Sequence, residues 1–193
     1  MITEVSVSNK QKTLKSKFVF QGIGLHSGKI SIVEVKPAKE DTGIIFKRID
    51  VEKDNEIKAL WTNVSSTNLS TTISNDTGIS ISTIEHLMSA LSGMHIDNAL
   101  IEINGPEIPI MDGSSEPFVN LIEDSGVIDQ KKNRKFIRVL KEVSAQNENG
   151  FAKLKPNDKF SVEFEIDFPS KVVKKQSCHL QMINGNYKKV FSC

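Results

Sequence analysis

Cysteine is nearly absent from this 193-residue chain, which carries only Cys178 and Cys193. Two thiols cannot build a disulfide framework or a cysteine-rich zinc site, so a reducing compartment is expected. Charge of either sign is not in excess: the net value of +1 removes the electrostatic argument for nucleic acid or an anionic membrane as partner. Long apolar runs are missing too, and no window approaches the roughly 18 apolar residues of a membrane span. The stretch from Met1 to Lys17 is polar and has no apolar centre of the kind a signal peptide needs. What remains is a cytoplasmic globular protein, 38% hydrophobic and 25% charged, able to bury one good core or two small ones.

Strand patterns come first along the chain. Phe18-Val19-Phe20 leads into a glycine-punctuated turn, Gln21-Gly22-Ile23-Gly24-Leu25-His26-Ser27-Gly28, and Ile30 to Val35 then alternates until Lys36-Pro37 stops it. Gly43 to Lys47 and Ile57 to Trp61 read as two more strands, and Thr71 to Ile73 with Gly78 to Ile81 as a hairpin around Asn75-Asp76. A helix follows, with Ser82 as N-cap, Ile84, Leu87, Met88 and Leu91 on one face, and Gly93 as its stop. Asn98 to Ile103 is the next strand. A second helix spans about Glu116 to Ser125, with Pro117 early and Gly126 after it. Several strands and two helices flanking a strand make this part α+β.

The charge run from Asp129 to Lys135 is the best linker candidate, which divides the chain into a first domain over 1–130, a linker over 131–135 and a second region over 136–193. Strand patterns restart there, over Phe136 to Val143, Gly150 to Pro156, and the alternating Phe160, Val162, Phe164, Ile166 and Phe168, expected to be half-buried. Val35-Lys36-Pro37-Ala38 and Leu154-Lys155-Pro156-Asn157 each close a second strand, an echo that fits a duplicated unit. A second copy as long as the first would run well past Cys193, so its helices are expected to be missing.

Chemistry concentrates at Glu85-His86, an acid beside an imidazole at a helix start. Two readings of Glu85 stand side by side: the returning member of a capping box with Ser82, or a base beside a metal-bound water. A histidine four residues on, as in H-E-x-x-H, is lacking. The inverted order needs a histidine where Ser82 stands. His95 would face the far side of an ideal helix, and His179 sits in a polar stretch without a partner. Any zinc site must therefore be completed from far along the chain. The loop around His26 resembles a phosphate-cradling glycine loop only weakly, and a hairpin turn explains its glycines as well. Asn104 to Ser114, with two prolines and two glycines, reads as a rigid connection.

Taken in order, Gly22-Ile23-Gly24-Leu25-His26-Ser27-Gly28, Ser82-Thr83-Ile84-Glu85-His86-Leu87 and Pro106-Glu107-Ile108-Pro109-Ile110-Met111-Asp112-Gly113-Ser114 closely resemble the zinc-dependent UDP-3-O-acyl-N-acetylglucosamine deacetylases. That family performs the committed step of lipid A synthesis in Gram-negative bacteria. The resemblance implies a fold of two similar α+β sandwich domains, each a sheet with two helices, the second only begun here, so that the chain reads as an N-terminal fragment. It implies Glu85 as general base and His86 as first ligand of a Zn2+ cofactor. Leu69, Ser70 and Thr71 would line the metal site and the acyl-chain passage, and His26 the substrate cleft. The implied substrate is a UDP-linked acylated glucosamine, handled by a cytoplasmic monomer with no nucleic-acid partner. The family's His-Lys-x-x-x-Asp motif, which supplies the remaining zinc ligands, is not found in this sequence. Its later histidine and Thr-Phe segment are missing too, the latter expected just past Tyr187 to Cys193. Two rivals remain: a naturally short, non-catalytic binding or regulatory domain, and a different metallohydrolase completing its site with His26 and His179.

Overall fold

The computed structural model describes residues 9–148 and 150–181. In chain order its elements are β1 (Lys10–Leu14), β2 (Phe18–Ile23), β3 (Ile30–Pro37), β4 (Ile44–Arg48), β5 (Glu56–Lys58), a 3-10 turn (Trp61–Asn63), β6 (Val64–Ser66), β7 (Thr72–Ser74) and β8 (Ser80–Ile81). They continue with α1 (Glu85–Gly93), β9 (Ala99–Ile103), α2 (Glu116–Ser125), β10 (Val127–Asn133), β11 (Val143–Asn147), β12 (Gly150–Leu154), β13 (Ser161–Asp167) and β14 (Lys175–Gln181). The described fold is α+β, and none of its helices is long and apolar enough to cross a membrane.

Two compact units divide the described chain, one over 8–134 and one from 135 onward. In the first, five strands pair in the order β2-β3-β9-β4-β5, antiparallel except where β4 lies parallel to β9. The two-residue period of a strand sends Phe18 and Phe20, Val33 and Val35, and Ala99, Ile101 and Ile103 to one buried face. Leu87, Ala90 and Leu91 of α1 and Phe118, Val119 and Ile122 of α2 supply the buried helical side of the same core. Phe20 meets Phe118 edge-to-face with ring centroids 5.2 Å apart. Outward-facing positions of the sheet carry Lys36, bridged to both Glu34 and Glu102.

The three-stranded sheet β6-β7-β8 contains the expected Thr71-to-Ile81 hairpin, closed by the Asn75 side chain accepting from Thr77 and Ile79. α2 begins and ends where its proline and glycine place it. Ile57 to Trp61 is shorter than expected, because Trp61 already belongs to the 3-10 turn.

Residues 131–133 are not linker. They finish β10, which pairs antiparallel with β1. The charges are tolerated because the backbone takes the ladder while the side chains find partners: Lys132 bonds Asp41, and the Glu40 carboxylate accepts from the amides of Lys131 and Lys132. The exception that points inward, Gln130, joins a buried amide network. Asn98 donates to Gln130 and Gln11 and accepts from the Gly43 amide, while Thr13 donates to the Asn98 carbonyl. Every member is satisfied, so the network specifies β1, β9 and β10 rather than loosening them. Arg134 ends the unit by a fork onto Asp97 at 2.7 Å and the His95 carbonyl at 2.9 Å, with its guanidinium also 3.1 Å from His95 Nδ1.

The second unit is described by itself. It holds two antiparallel hairpins, β11-β12 and β13-β14. The echo survives to this extent: Pro37 and Leu154 each end the second strand of an antiparallel hairpin. No strand forms over 136–142, where Ile137 is 98% exposed and no pairing partner exists among the described residues. The Phe160-to-Phe168 alternation does form a strand, but it is not half-buried, with Phe164 59% exposed. Alternation selects a strand; burial needs a second layer, and a two-stranded hairpin has none. Cys178 is exposed with a free thiol; Cys193, and the stretch Tyr187 to Cys193, lie outside the described residues.

His95 gives the first unit a pH signature. Burial, and then the charges of Arg134 and Lys12, hold its imidazole below the usual histidine range, against a smaller pull from Asp97. The folded state therefore keeps the ring neutral while the unfolded chain takes up a proton near pH ~6.5. Stability from this group is complete above that pH and is lost as pH falls through the folded-state value. Urea midpoints measured from pH 8 down to 5 should fall for the wild type and fall less for His95→Gln; equal slopes would contradict this assignment.

Candidate functional site

The β7-β8 hairpin delivers the chain to Ser82, whose amide donates to the Pro106 carbonyl at 2.9 Å and whose carbonyl accepts from Ile108 at 3.1 Å. The next residue, Thr83, is buried and has φ of 58°. A β-branched residue in the left-handed region is strained, and here the strain turns the chain directly into α1. The helix therefore starts with Ile84 as N-cap and Glu85 as its first residue, and no side-chain cap forms. The capping box is overturned: Ser82 is engaged with the Pro106 carbonyl, and Glu85 stands at the first helical position, not the third.

Glu85 is engaged elsewhere. Its Oε2 accepts from the Thr71 amide at 3.0 Å, and the Thr71 carbonyl accepts from the Ile84 amide at 3.4 Å. The loop singled out in the sequence is thus bound to the acid singled out in the sequence. Within that loop Ser70 and Thr71 are half-buried, while Leu69 is 82% exposed with φ of 61°. His86 is half-buried. Asp112 lies within its electrostatic reach: the amide and hydroxyl of Ser114 lower the Asp112 carboxyl first, and His86 adds a smaller pull in the same direction.

The residue that sequence reasoning passed over is Glu107, which is only 1% exposed. Its Oε1 accepts from the His26 amide at 2.9 Å and the Thr83 hydroxyl at 3.0 Å, and its Oε2 from the Ser27 amide at 2.7 Å. Burial pushes this carboxyl up, but the hydrogen bonds from His26, Ser27 and Thr83 outweigh it and hold it below the usual range. A signal was present: Pro106-Glu107-Ile108-Pro109 places one acid among prolines and an isoleucine, where an unpartnered charge would be costly.

His26 is exposed and is connected to α1 through Glu107 and Thr83. His179 lies on β14 opposite Glu163, in the second unit. Among the described residues no group of three or more His, Cys, Asp or Glu side chains is placed to hold a metal ion. The described residues therefore do not by themselves assemble a set of side chains that fits a zinc ion.

Fold and site together define an α+β domain that presents an acid–imidazole pair at a helix start, with a serine- and threonine-rich loop hydrogen-bonded to the acid. The family model described as UDP-3-O-acyl N-acetylglycosamine deacetylase (LpxC) matches residues 11–192, and the chain belongs to that family. A UDP-3-O-acyl-N-acetylglucosamine deacetylase from Syntrophus aciditrophicus is 44% identical over 179 residues, covering 93% of this chain and 56% of its own length. Proteins of the same name from Thioalkalivibrio sulfidiphilus and Pseudomonas entomophila are each 45% identical, over 82% and 87% of this chain and 52% and 55% of their own. The chain spans about half the length of these curated relatives.

Gly24 tests the packing of the site. A Cβ there would lie 2.4 Å from both Glu107 Oε2 and Ser27 Oγ. Gly24→Ala should destabilise the chain by about 1–3 kcal/mol in urea unfolding, as overpacking does. A loss below about 0.5 kcal/mol, the range of ordinary surface changes, would mean the carboxylate is not held so close.

Proposed function

We propose that this chain carries the base-bearing half of a hydrolase that removes the acetyl group from UDP-3-O-acyl-N-acetylglucosamine. The observation that carries the reading is Glu85. Its carboxylate is free of capping duty, held from one side by the Thr71 amide, and adjacent to His86. Family membership supplies the reaction class.

In this reading Glu85 takes a proton from water as the water attacks the N-acetyl carbonyl. The C–N bond then breaks, the sugar nitrogen leaves as the amine after gaining a proton, and acetate is released. The Thr71 amide orients Glu85 by bonding one of its oxygens, leaving the other for the water. Ser70 and Leu69 lie next along the same loop, where the exposed Leu69 offers apolar surface to an acyl chain. His26 would border the sugar-nucleotide side of the cleft.

Zinc enters the reading through His86, one imidazole ligand; the other ligands would have to come from sequence beyond these residues. A cytoplasmic location and a monomeric state belong to the same proposal, the first supported by the free thiol of Cys178.

The test uses a protein of family length carrying this sequence. Glu85→Ala should keep its bound metal and lose about 10²–10⁴-fold in rate of acetate release, the range for a general base. His86→Ala should lower metal content itself. Glu85→Ala activity within a few-fold of wild type would reject Glu85 as the base.

A further inference from the structure

Three segments far apart in sequence meet at one carboxylate. The glycine loop reaches it through the His26 and Ser27 amides, the entry to α1 through the Thr83 hydroxyl, and the Pro106–Pro109 segment carries it. We propose that Glu107 is a positioning residue, clamping the His26 loop to the start of α1 and thereby setting where His26 stands relative to Glu85 and His86. This deepens the deacetylase reading, on which it rests for the roles of those three residues.

The geometry leaves little freedom at the clamp. An ionised carboxylate is acceptor-only, and every group aimed at this one is a donor. Glutamine would keep the shape but turn an NH2 group toward donors, so at least one of them loses its partner. The backbone reinforces the same junction. Ser82 and Glu107 form a parallel bridge, and the Ile110 amide donates to the Ile23 carbonyl at 3.1 Å. Approach is close enough to exclude side chains: a Cβ on Gly22 would lie 2.9 Å from Pro109 Cβ, and one on Gly24 would strike the carboxylate.

Thr83 explains why a charge is used. Its left-handed backbone persists only if its surroundings over-determine it, and the side-chain bond to Glu107 Oε1 does this two residues before Glu85. An apolar side chain at 107 could fill the space but could not hold Thr83 in that conformation or turn the His26 and Ser27 amides inward. The buried acid therefore contributes register more than packing.

The first arm of the test uses the 193-residue chain. In the wild type the His26 and Ser27 amide protons should resonate downfield and exchange slowly. In Glu107→Gln they should move upfield and exchange at least about 10-fold faster, together with the Ser82 and Ile84 amides across the junction, the local opening expected when a shared bond is lost. Asn98→Ala, which disrupts the separate amide network, should not single out these four. The second arm uses the family-length protein. There Glu107→Gln should lose about 10²-fold in kcat/KM, the scale of a small misplacement, while an Asn98→Ala protein of similar melting temperature stays within a few-fold.

Unchanged exchange at His26 and Ser27, or equal kcat/KM losses in the two variants, would overturn the proposal. If Glu107→Gln does not fold, the wild-type spectrum decides, since fast exchange at His26 and Ser27 overturns it alone. A wild-type family-length protein that releases no acetate would reject the deacetylase reading instead, and the exchange measurement would still decide the clamp.

Discussion

The site hangs on one desolvated carboxylate. Burial alone would favour its neutral form, and an unpartnered buried charge would be expelled or neutralised. Glu107 keeps its charge because two main-chain amides and a hydroxyl converge on it from segments separated by 80 and 24 residues of chain. Each donor would otherwise be a buried polar group without a partner, or a loop facing solvent. The same bonds that make the charge tolerable hold the glycine loop, the proline-flanked segment and the mouth of α1 as one body. Remove the acceptor and all three lose their common reference.

That constraint accounts for two further features. α1 has no conventional cap, yet it begins sharply, because the strained Thr83 backbone and the Ser82 bridge set its first turn from outside the helix. Glu85 is consequently released from capping and binds the Thr71 amide, which draws the preceding loop onto the acid. A helix start built by tertiary contacts thus leaves its first carboxylate to hold the Thr71 loop, where a capping box would have turned it back onto the helix.

The second unit illustrates the converse. Its strands obey their alternation, and β13 and β14 pair in full register from Ser161 with Gln181 to Asp167 with Lys175. Yet Phe160, Phe164 and Phe168 stay exposed, since the described hairpin offers no opposing layer. In the first unit the identical alternation in β2 and β3 is buried under two helices. The difference lies in what stands across from the strand, and nothing in the alternation itself encodes that.

Much was legible in the residues alone. Period-two runs located β2, β3, β4, β9 and the β7-β8 hairpin, and Pro117 with Gly126 located α2, because these signals act through backbone sterics within a few residues. Glu85-His86 and the loop ending at Thr71 were legible as candidates, and the motif series was legible as a family resemblance. Three things were decided only by tertiary structure. The charge run at 129–133 became a strand because β1, Glu40 and Asp41 lay beside it. Glu85 took the Thr71 amide and not a cap because Thr83 was held left-handed. Glu107, read as part of a rigid connection, became the centre of the site because its partners come from loops whose meeting no local pattern records. Local sterics choose the elements; which buried charge finds its donors is settled only when distant segments meet.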